Sequence, residues 1–154
     1  MRRSLFWLSL LGWFLIPWAA DAATGKVMKV LPHFLDSEGR HTLAPSLYER
    51  DAYQAELRTH SEKRSGIRFD VQWKSKGTVW EDLKLKVELR GIAEGDLPRR
   101  LVLEQPVEKT GWFSRWTSLP LVGDEFKNFG EVTAWRVTLW EGKTLLAEQK
   151  SFLW

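Results

Sequence analysis

The side chains best suited to metal or acid–base chemistry in this 154-residue chain are three histidines: His33, His41 and His60. They are far apart, and none has a cysteine partner or the His-Glu-x-x-His spacing of a metal-binding helix. A zinc site needs ligands that converge in tetrahedral geometry. We therefore expect the histidines to be exposed loop residues, with no metal site and no cofactor.

Adjacent carboxylates are the other candidates for catalysis. The pairs Glu81-Asp82 and Asp124-Glu125 would serve acid–base chemistry if their environments moved their pKa values apart. Both lie in turn-like segments, where solvated carboxylates are usual. The chain also lacks a nucleophile elbow, a phosphate-binding loop and a dinucleotide fingerprint. The sequence thus predicts no catalytic residue, and we expect that the protein is not an enzyme.

Tryptophan is the one unusual feature of the composition. The chain has ten, of which seven follow residue 22: Trp73, Trp80, Trp112, Trp116, Trp135, Trp140 and Trp154. We expect them to fill a core that has no cysteine to cross-link it, above all Trp73 and Trp135, whose neighbours two residues away are apolar. Trp112, in a turn, and Trp140, on the face opposite Trp135, are the candidates for surface binding of sugar rings or a protein partner.

A stripe of basic residues follows the middle of the chain: Lys84, Lys86, Arg90, Arg99 and Arg100. Such a stripe attracts anionic surfaces such as lipopolysaccharide or membrane. Glu88 interrupts it, and a solvated sheet face is the simpler interpretation. The formal net charge is +3 for the whole chain and about +2 without residues 1–22. We therefore expect no nucleic-acid partner.

The first 22 residues have the three parts of a secretory signal peptide. Met1–Arg3 is basic, Leu5–Ile16 is apolar, and Ala20-Asp21-Ala22 supplies the small residues at a cleavage site. The apolar run is shorter than the ~20 residues of a membrane-spanning helix. We expect cleavage after Ala22, or secondarily after Ala20, and a single domain of residues 23–154 in the periplasm or outside the cell, without a transmembrane span.

Alternating apolar and polar residues predict seven strands. These are Thr24–Leu35, Ile67–Lys74, Leu83–Arg90, Arg100–Val107, Trp112–Leu119, Glu131–Trp140 and a last strand that begins at Thr144. Ser46 and Glu49 have the spacing of a capping box and predict a helix over Leu47–Arg58. Its apolar stripe would comprise Tyr48, Ala52 and Ala55, with Tyr53 and Leu57 beside it. Gly123–Gly130 is predicted to be a loop or one helical turn.

The last two strands predict a β-hairpin whose register depends on the turn. A three-residue loop of Glu141–Lys143 pairs Leu139 with Leu145, Val137 with Ala147 and Arg136 with Glu148. A two-residue loop of Gly142 and Lys143 would instead place charged residues beside the apolar ones. We favour the three-residue loop, which matches apolar to apolar and charge to charge.

Seven strands with one helix after the first predict an all-β, immunoglobulin-like antiparallel sandwich that lacks the cysteine pair of antibody domains. The run Ser65–Trp73 and the ending Lys150–Trp154 resemble small, uncharacterised bacterial exported proteins, and this resemblance implies no chemistry. We expect an exported, non-catalytic binding or structural module of the cell envelope or secreted space, with an unidentified protein or polysaccharide partner. The alternative is a carbohydrate-binding module that uses Trp112 and Trp140.

Overall fold

The computed structural model describes residues 23–77, 82–111 and 113–154. Within them the strands are β1 (Thr24–Leu35), β2 (Gly66–Lys76), β3 (Leu83–Ala93), β4 (Leu97–Val107), β5 (Arg115–Val122), β6 (Glu131–Glu141) and β7 (Thr144–Lys150). Two α-helices accompany them, α1 (Leu47–Thr59) and α2 (Gly123–Phe129), with a short 3-10 helix over Ser61–Lys63.

The strands form two antiparallel sheets that pack face to face. One sheet has the order β1-β2-β5 and the other β4-β3-β6-β7. The predicted all-β sandwich of seven strands, with a helix after the first, is confirmed.

The core lies between the central strands β2 and β3. In β3, burial alternates residue by residue from Leu83 to Gly91, so that one face is apolar and the other carries the charges. Phe69 and Val71 of β2 and Val87 of β3 are completely buried between the sheets. Strict alternation of this kind fixes which face of each strand points inward.

The helix α1 begins where the sequence predicts, but its capping box does not form. Ser46 has the extended backbone of an N-cap residue, yet its side chain makes no capping hydrogen bond. The helix is held from its side instead. Asp36 accepts hydrogen bonds from the Tyr53 hydroxyl at 2.8 Å and from the backbone N–H groups of Glu38 and Arg40 at 2.9 and 2.8 Å.

The predicted apolar stripe of α1 is wrong for Tyr48, Ala52 and Ala55, which are exposed. Leu57, predicted beside the stripe, is buried, and the other buried residue of the helix is Gln54. The Gln54 amide bonds to both the backbone N–H and the backbone carbonyl of one β1 residue, so its polar atoms are satisfied. A buried amide with such partners replaces an apolar contact. Counting apolar residues along the helix therefore selects the wrong face.

A second helix, α2, stands where a loop or one helical turn is predicted, and its seven residues bury Phe129. It ends at Gly130, which has φ +82° and ψ −147°, a conformation almost restricted to glycine. In the part of the chain that the structure describes, neither helix is long and apolar enough to cross a membrane.

The β6–β7 hairpin differs from the favoured register. Its turn contains two residues, Gly142 and Lys143, because Glu141 pairs with Thr144. The three-residue loop is therefore wrong, and so are the partners that it implied.

A β-bulge in β7 compensates for the short turn, which would otherwise place charged side chains of β7 beside apolar side chains of β6. The pairing skips Leu146, so that Leu139 lies opposite Ala147 and Arg136 lies opposite Lys150. One extra residue shifts the register by one and returns apolar side chains to the same face. The expected ion pair survives as a diagonal contact, with 3.8 Å between Arg136 Nη1 and Glu148 Oε2.

The sandwich is tight along the β1 and β7 side. A Cβ atom added to Gly25 of β1 would lie 2.8 Å from the Cβ of Leu146 in β7. Only glycine allows the two strands to approach so closely.

Alanine at Gly130 tests the constraint at the α2–β6 junction. A Cβ there would lie 2.3 Å from the carbonyl oxygen of Ile92, in a backbone conformation that disfavours any side chain. We expect Gly130→Ala to lower the free energy of unfolding by about 3 kcal/mol or more, measured by urea denaturation.

Gly39→Ala is the matched control. Gly39 also has a positive φ, +76°, but an added Cβ would have no neighbour within 4 Å. Gly39→Ala should lower the free energy of unfolding by about 1–2 kcal/mol, from backbone strain alone. Equal losses in the two variants would contradict a steric role for the junction.

Candidate ligand-binding cleft

A cleft of about 660 Å³ opens between β4 and β5, on the side of the sandwich opposite the tight β1–β7 contact. It lies where β2 ends and β3 begins. The residues that determine its character are Trp73, Gln105, Pro106, Glu108, Arg115 and Trp116. Its volume falls within the range of about 300–1,000 Å³ that is usual for small-ligand sites.

The cleft exists because polar residues occupy inward positions on two edge strands. Gln105 of β4 pairs with Leu85, and Arg115 of β5 pairs with Trp73, so both polar side chains share a face with buried core residues. Burying an unpaired amide or a guanidinium is costly. The edges of the two sheets therefore leave a cleft at these positions, above a core that stays buried.

Two tryptophans of different burial shape the cleft. Trp73 forms its floor; it is 1% exposed, and its Nε1 donates a hydrogen bond to Thr117 Oγ1 at 2.9 Å. The prediction that Trp73 is a core residue is thus confirmed. Trp116, on the edge strand, is 50% exposed and borders the cleft. It alternates with the inward-facing Arg115 and Thr117, so its side chain belongs to the outer face of the β1-β2-β5 sheet.

Four charged residues border the cleft: Asp82, Lys84, Glu108 and Arg115. Lys84 does so from β3, whose alternation puts its side chain on the outer sheet face. Arg115 and Glu108 are exposed and 3.7 Å apart at their closest atoms. Lys84 Nζ lies 3.0 Å from Glu104 Oε2. Exposed pairs of this kind are held weakly, so their groups can reorient toward a ligand at little cost.

A second group of polar residues covers the outer face of the β1-β2-β5 sheet. At its centre, Asp70 accepts hydrogen bonds from His33 Nδ1 at 3.0 Å, from Arg68 Nη2 at 2.9 Å and from the Ser118 hydroxyl. Burial alone would raise the pKa of Asp70, but these three hydrogen bonds outweigh it and hold the pKa well below its ordinary value.

This polar cluster does not have the order of a catalytic triad. A serine nucleophile needs an imidazole nitrogen that accepts its proton. Here Ser118 of β5 donates to the carboxylate of Asp70 in β2, and His33 of β1 bonds to the same carboxylate. The arrangement joins β1, β2 and β5 and is suited to a structural role.

The cluster also corrects the expectation for the histidines. His33 is 8% exposed and lies within β1, so the expectation of an exposed loop residue is wrong for it. His41 is in a loop, its ring 5.0 Å from that of His33. Burial, with the nearby charges of Arg68 and His33, lowers the pKa of His41. His60 is exposed at the end of α1, as expected.

The two candidate carboxylate pairs lie in different parts of the molecule. Glu81 lies outside the described residues, and Asp82 lines the cleft. Asp124 and Glu125 are exposed in the first turn of α2, where acidic side chains interact favourably with the helix dipole. Within residues 23–77, 82–111 and 113–154, no group of three or more histidine, aspartate or glutamate residues is placed to hold a metal ion.

Of the two predicted binding tryptophans, only Trp140 can be placed, and it is not among the residues of the cleft. Trp112 lies outside the described residues. Trp140 is half-buried on the outer face of the four-stranded sheet, where its Nε1 donates to Thr138 Oγ1 at 2.8 Å and Lys86 Nζ lies 5.6 Å from its ring. Sequence reasoning missed Trp116, although the polar residues on either side of it, Arg115 and Thr117, are signs of an edge strand with an incompletely apolar inner face.

Most of the basic stripe is engaged within the protein. Lys84 and Lys86 both contact Glu104, which supports the interpretation of a solvated sheet face. The guanidinium groups of Arg90 and Arg136 lie 4.1 and 4.8 Å from the ring centroid of Trp154. Cations over an indole face are stabilised by its quadrupole.

Comparison with known proteins gives information on the fold alone. A crystal structure from Akkermansia muciniphila is similar, with a TM-score of 0.54 and 11% sequence identity, over 84% of this chain and 70% of that one. Neither a protein-family model nor a curated protein matches the chain.

The polar cluster predicts a specific dependence of stability on pH. Because the pKa of Asp70 is lower in the folded state than its ordinary value of 3.8, its contribution is complete above that value and is lost as the pH falls below it. We expect Asp70→Asn to lower the free energy of unfolding by about 1.5–3 kcal/mol at neutral pH. In urea denaturation, the difference in the free energy of unfolding between Asp70→Asn and wild type should be smaller at pH ~3 than at pH 7.

Glu94→Gln is the control, since Glu94 is exposed in the β3–β4 turn. It should change stability by less than about 0.5 kcal/mol at either pH. A difference between Asp70→Asn and wild type that stays constant from neutral to acid pH would show that the hydrogen bonds to Asp70 do not carry the effect.

Proposed function

We propose that this protein is an exported, non-catalytic binding module of the cell envelope or secreted space, and that it holds its ligand in the cleft between β4 and β5. The observation that supports this best is the cleft itself, where the inward-facing polar side chains of Gln105 and Arg115 adjoin the buried Trp73. The half-exposed Trp116 borders the same cleft. A concave site with a few converging polar groups is the usual form of a ligand site.

Export is supported by the signal-peptide pattern of residues 1–22, which lie outside the described residues. The sandwich is of the immunoglobulin-like type. The partners β1-β2-β5 and β3-β6-β7 correspond to strands A-B-E and C-F-G of an immunoglobulin domain, while β4 pairs with β3 instead of β5.

A binding role without catalysis is supported by the residues of the cleft. Among its described lining residues there is no histidine and no serine, and the hydroxyl of Thr117 accepts a hydrogen bond from Trp73. A serine nucleophile with a histidine base is thus missing from this set. Binding through the exposed face of Trp140, or through Trp112, stays a separate prediction that the same experiment distinguishes.

The indole N–H signals of the tryptophans provide the test. The ¹⁵N-labelled protein, produced with its own N-terminal segment, is titrated with glycan-rich and protein-rich fractions of a bacterial envelope extract, and signals are assigned with Trp116→Phe and Trp140→Phe. We expect a ligand to shift the Trp116 signal and leave the Trp140 signal in place. Trp116→Ala should weaken retention on the immobilised active fraction at least about tenfold.

Trp140→Ala is the matched control and should change retention by less than about twofold. A shift of the Trp140 signal with an unmoved Trp116 signal would favour the sheet-face alternative and contradict the cleft. If no fraction moves any indole signal, the proposed binding function is wrong.

A further inference from the structure

The four-stranded sheet ends in an unpaired edge at β4. This strand has β3 as its neighbour on one side, and its residues 99–106 are exposed or half-buried. An edge of this kind presents backbone N–H and C=O groups to which another strand can bind. At the opposite edge of the same sheet, β7 is closely approached by β1 at Gly25. The sheet can therefore be extended on the β4 side.

Two prolines indicate which backbone groups of β4 point to the free edge. Pro98 and Pro106 are both paired with residues of β3. Because proline has no N–H, it is accepted in a paired strand where its nitrogen faces away from the neighbouring strand. Backbone direction alternates along a strand, so every second residue shares the direction of the prolines. Arg100, Val102 and Glu104 therefore turn their N–H and C=O groups to the free edge, with their side chains on the outer face of the sheet.

The side chains of this edge are complementary to a second copy of themselves. An antiparallel copy of β4 centred on Val102 sets Val102 opposite its own copy and Arg100 opposite Glu104 of the second copy, twice by symmetry. Pro98 then faces Pro106, so the hydrogen bonds stop at both ends. Opposite charges directly across an antiparallel pair stabilise it. A slip of two residues sets Arg100 against Val102 and a slip of four sets it against its own copy, so the charges select the centred register.

A single chain leaves the charge of Arg100 without a partner. The residue directly opposite it on β3 is Arg90, and like charges in such positions repel. Within the described parts of the chain, Arg100 makes no side-chain hydrogen bond or ion pair. Glu104 contacts Lys84 through one carboxylate oxygen and Lys86 through the other. Since a carboxylate has about four acceptor positions, Glu104 can also accept hydrogen bonds from a guanidinium. A second copy thus brings to Arg100 the carboxylate that its own chain does not.

The inner face of β4 is apolar at the same place. Leu101 and Leu103 are half-buried and pack against the core. In the centred register, Leu101 lies opposite Leu103 of the second copy. The apolar layer of the sandwich would then continue from one copy to the other and remove apolar surface from water.

The free edge of the other sheet lacks this pattern. The residues of β5 that share the direction of its proline are Trp116, Ser118, Pro120 and Val122. None of them is charged, so no register is selected by opposite charges. The proline also lies between Ser118 and Val122, where it removes a donor from the middle of the edge.

From the unpaired edge, the complementary charges and the prolines that bound the segment, we infer that β4 pairs with β4 of a second copy of this chain. The product is a two-fold symmetric dimer in which one sheet continues through both copies, with four strands from each. A two-fold contact uses the same surface on both copies, so it closes and does not extend into a fibre. The inference goes beyond the proposed binding function and does not depend on it.

A cysteine on the two-fold axis tests the register. The chain has no cysteine, so Val102→Cys carries a single thiol. In a hydrogen-bonded antiparallel pair the Cα atoms are about 5.5 Å apart, within the range that a disulfide spans. Val122→Cys is the matched control, because Val102 and Val122 are 49% and 48% exposed and Val122 lies on β5. With glutathione disulfide as oxidant, Val102→Cys should form the covalent dimer at least about fivefold faster than Val122→Cys.

Charge reversal tests the cross-strand pairs in the protein without cysteine, produced with its own N-terminal segment. Sedimentation equilibrium at about 5–500 μM protein should show a dimer whose fraction rises with concentration. Arg100→Glu and Glu104→Arg should each weaken the dimer at least about fivefold, because like charges then meet across the junction. An equimolar mixture of the two variants should dimerise as wild type does, since each introduced charge meets an opposite charge in the mixed dimer. Cooperative urea unfolding of each variant shows that it is folded.

Three results would overturn the inference. The first is a wild-type protein that stays monomeric over the whole concentration range. The second is a dimer that both charge reversals leave unchanged, since the contact then lies elsewhere. The third is equal rates of cross-linking for Val102→Cys and Val122→Cys, which would mean that random collisions form the disulfide. Recovery of the dimer in the mixture of the two folded variants supports the pairing of Arg100 with Glu104, because a general loss of stability is not repaired by mixing.

Discussion

The fold depends on the close packing of β2 against β3 at the centre of the two sheets. With no cysteine in the chain, no disulfide joins the sheets, and the apolar faces of these strands supply the contact. Phe69, Val71 and Val87 are fully buried there. The spacing of the edge strands depends on how each of them packs against this core. On one side, Gly25 lets β1 approach β7; on the other, Gln105 and Arg115 occupy inward positions of β4 and β5 beside a cleft.

Charged groups outside the core mainly join separate elements of the fold through hydrogen bonds. Asp36 holds a loop and the helix α1 together, and hydrogen bonds from Arg40 and Tyr53 outweigh the effect of burial to lower its pKa to about 2. Asp70 does the same across three strands. A carboxylate that must stay ionised to satisfy its donors is a poor proton carrier at neutral pH, so the low pKa values of both groups fit structural roles.

Alternation predicted the strands because it is a local property that survives folding. Residues two apart in β3 share a face whatever surrounds them, and the sheet then buries that face. The helix face, the bulge at Leu146 and the burial of His33 depend on partners distant in sequence, such as Asp70 for His33, 37 residues away. No local pattern contains that information. Trp116 was missed for the same reason, since its exposure follows from β5 being an edge strand.

The cleft coincides with the place where the alternation of the sandwich is broken. An apolar residue at Gln105 or Arg115 would extend the core at no desolvation cost, so an amide and a guanidinium there lower the stability that the fold could reach. Proteins depart from a consistent pattern chiefly where function requires it. Packing of the sandwich alone gives no reason for an amide and a guanidinium at these two inward positions. The cleft between β4 and β5 lies where they stand, beside the buried Trp73.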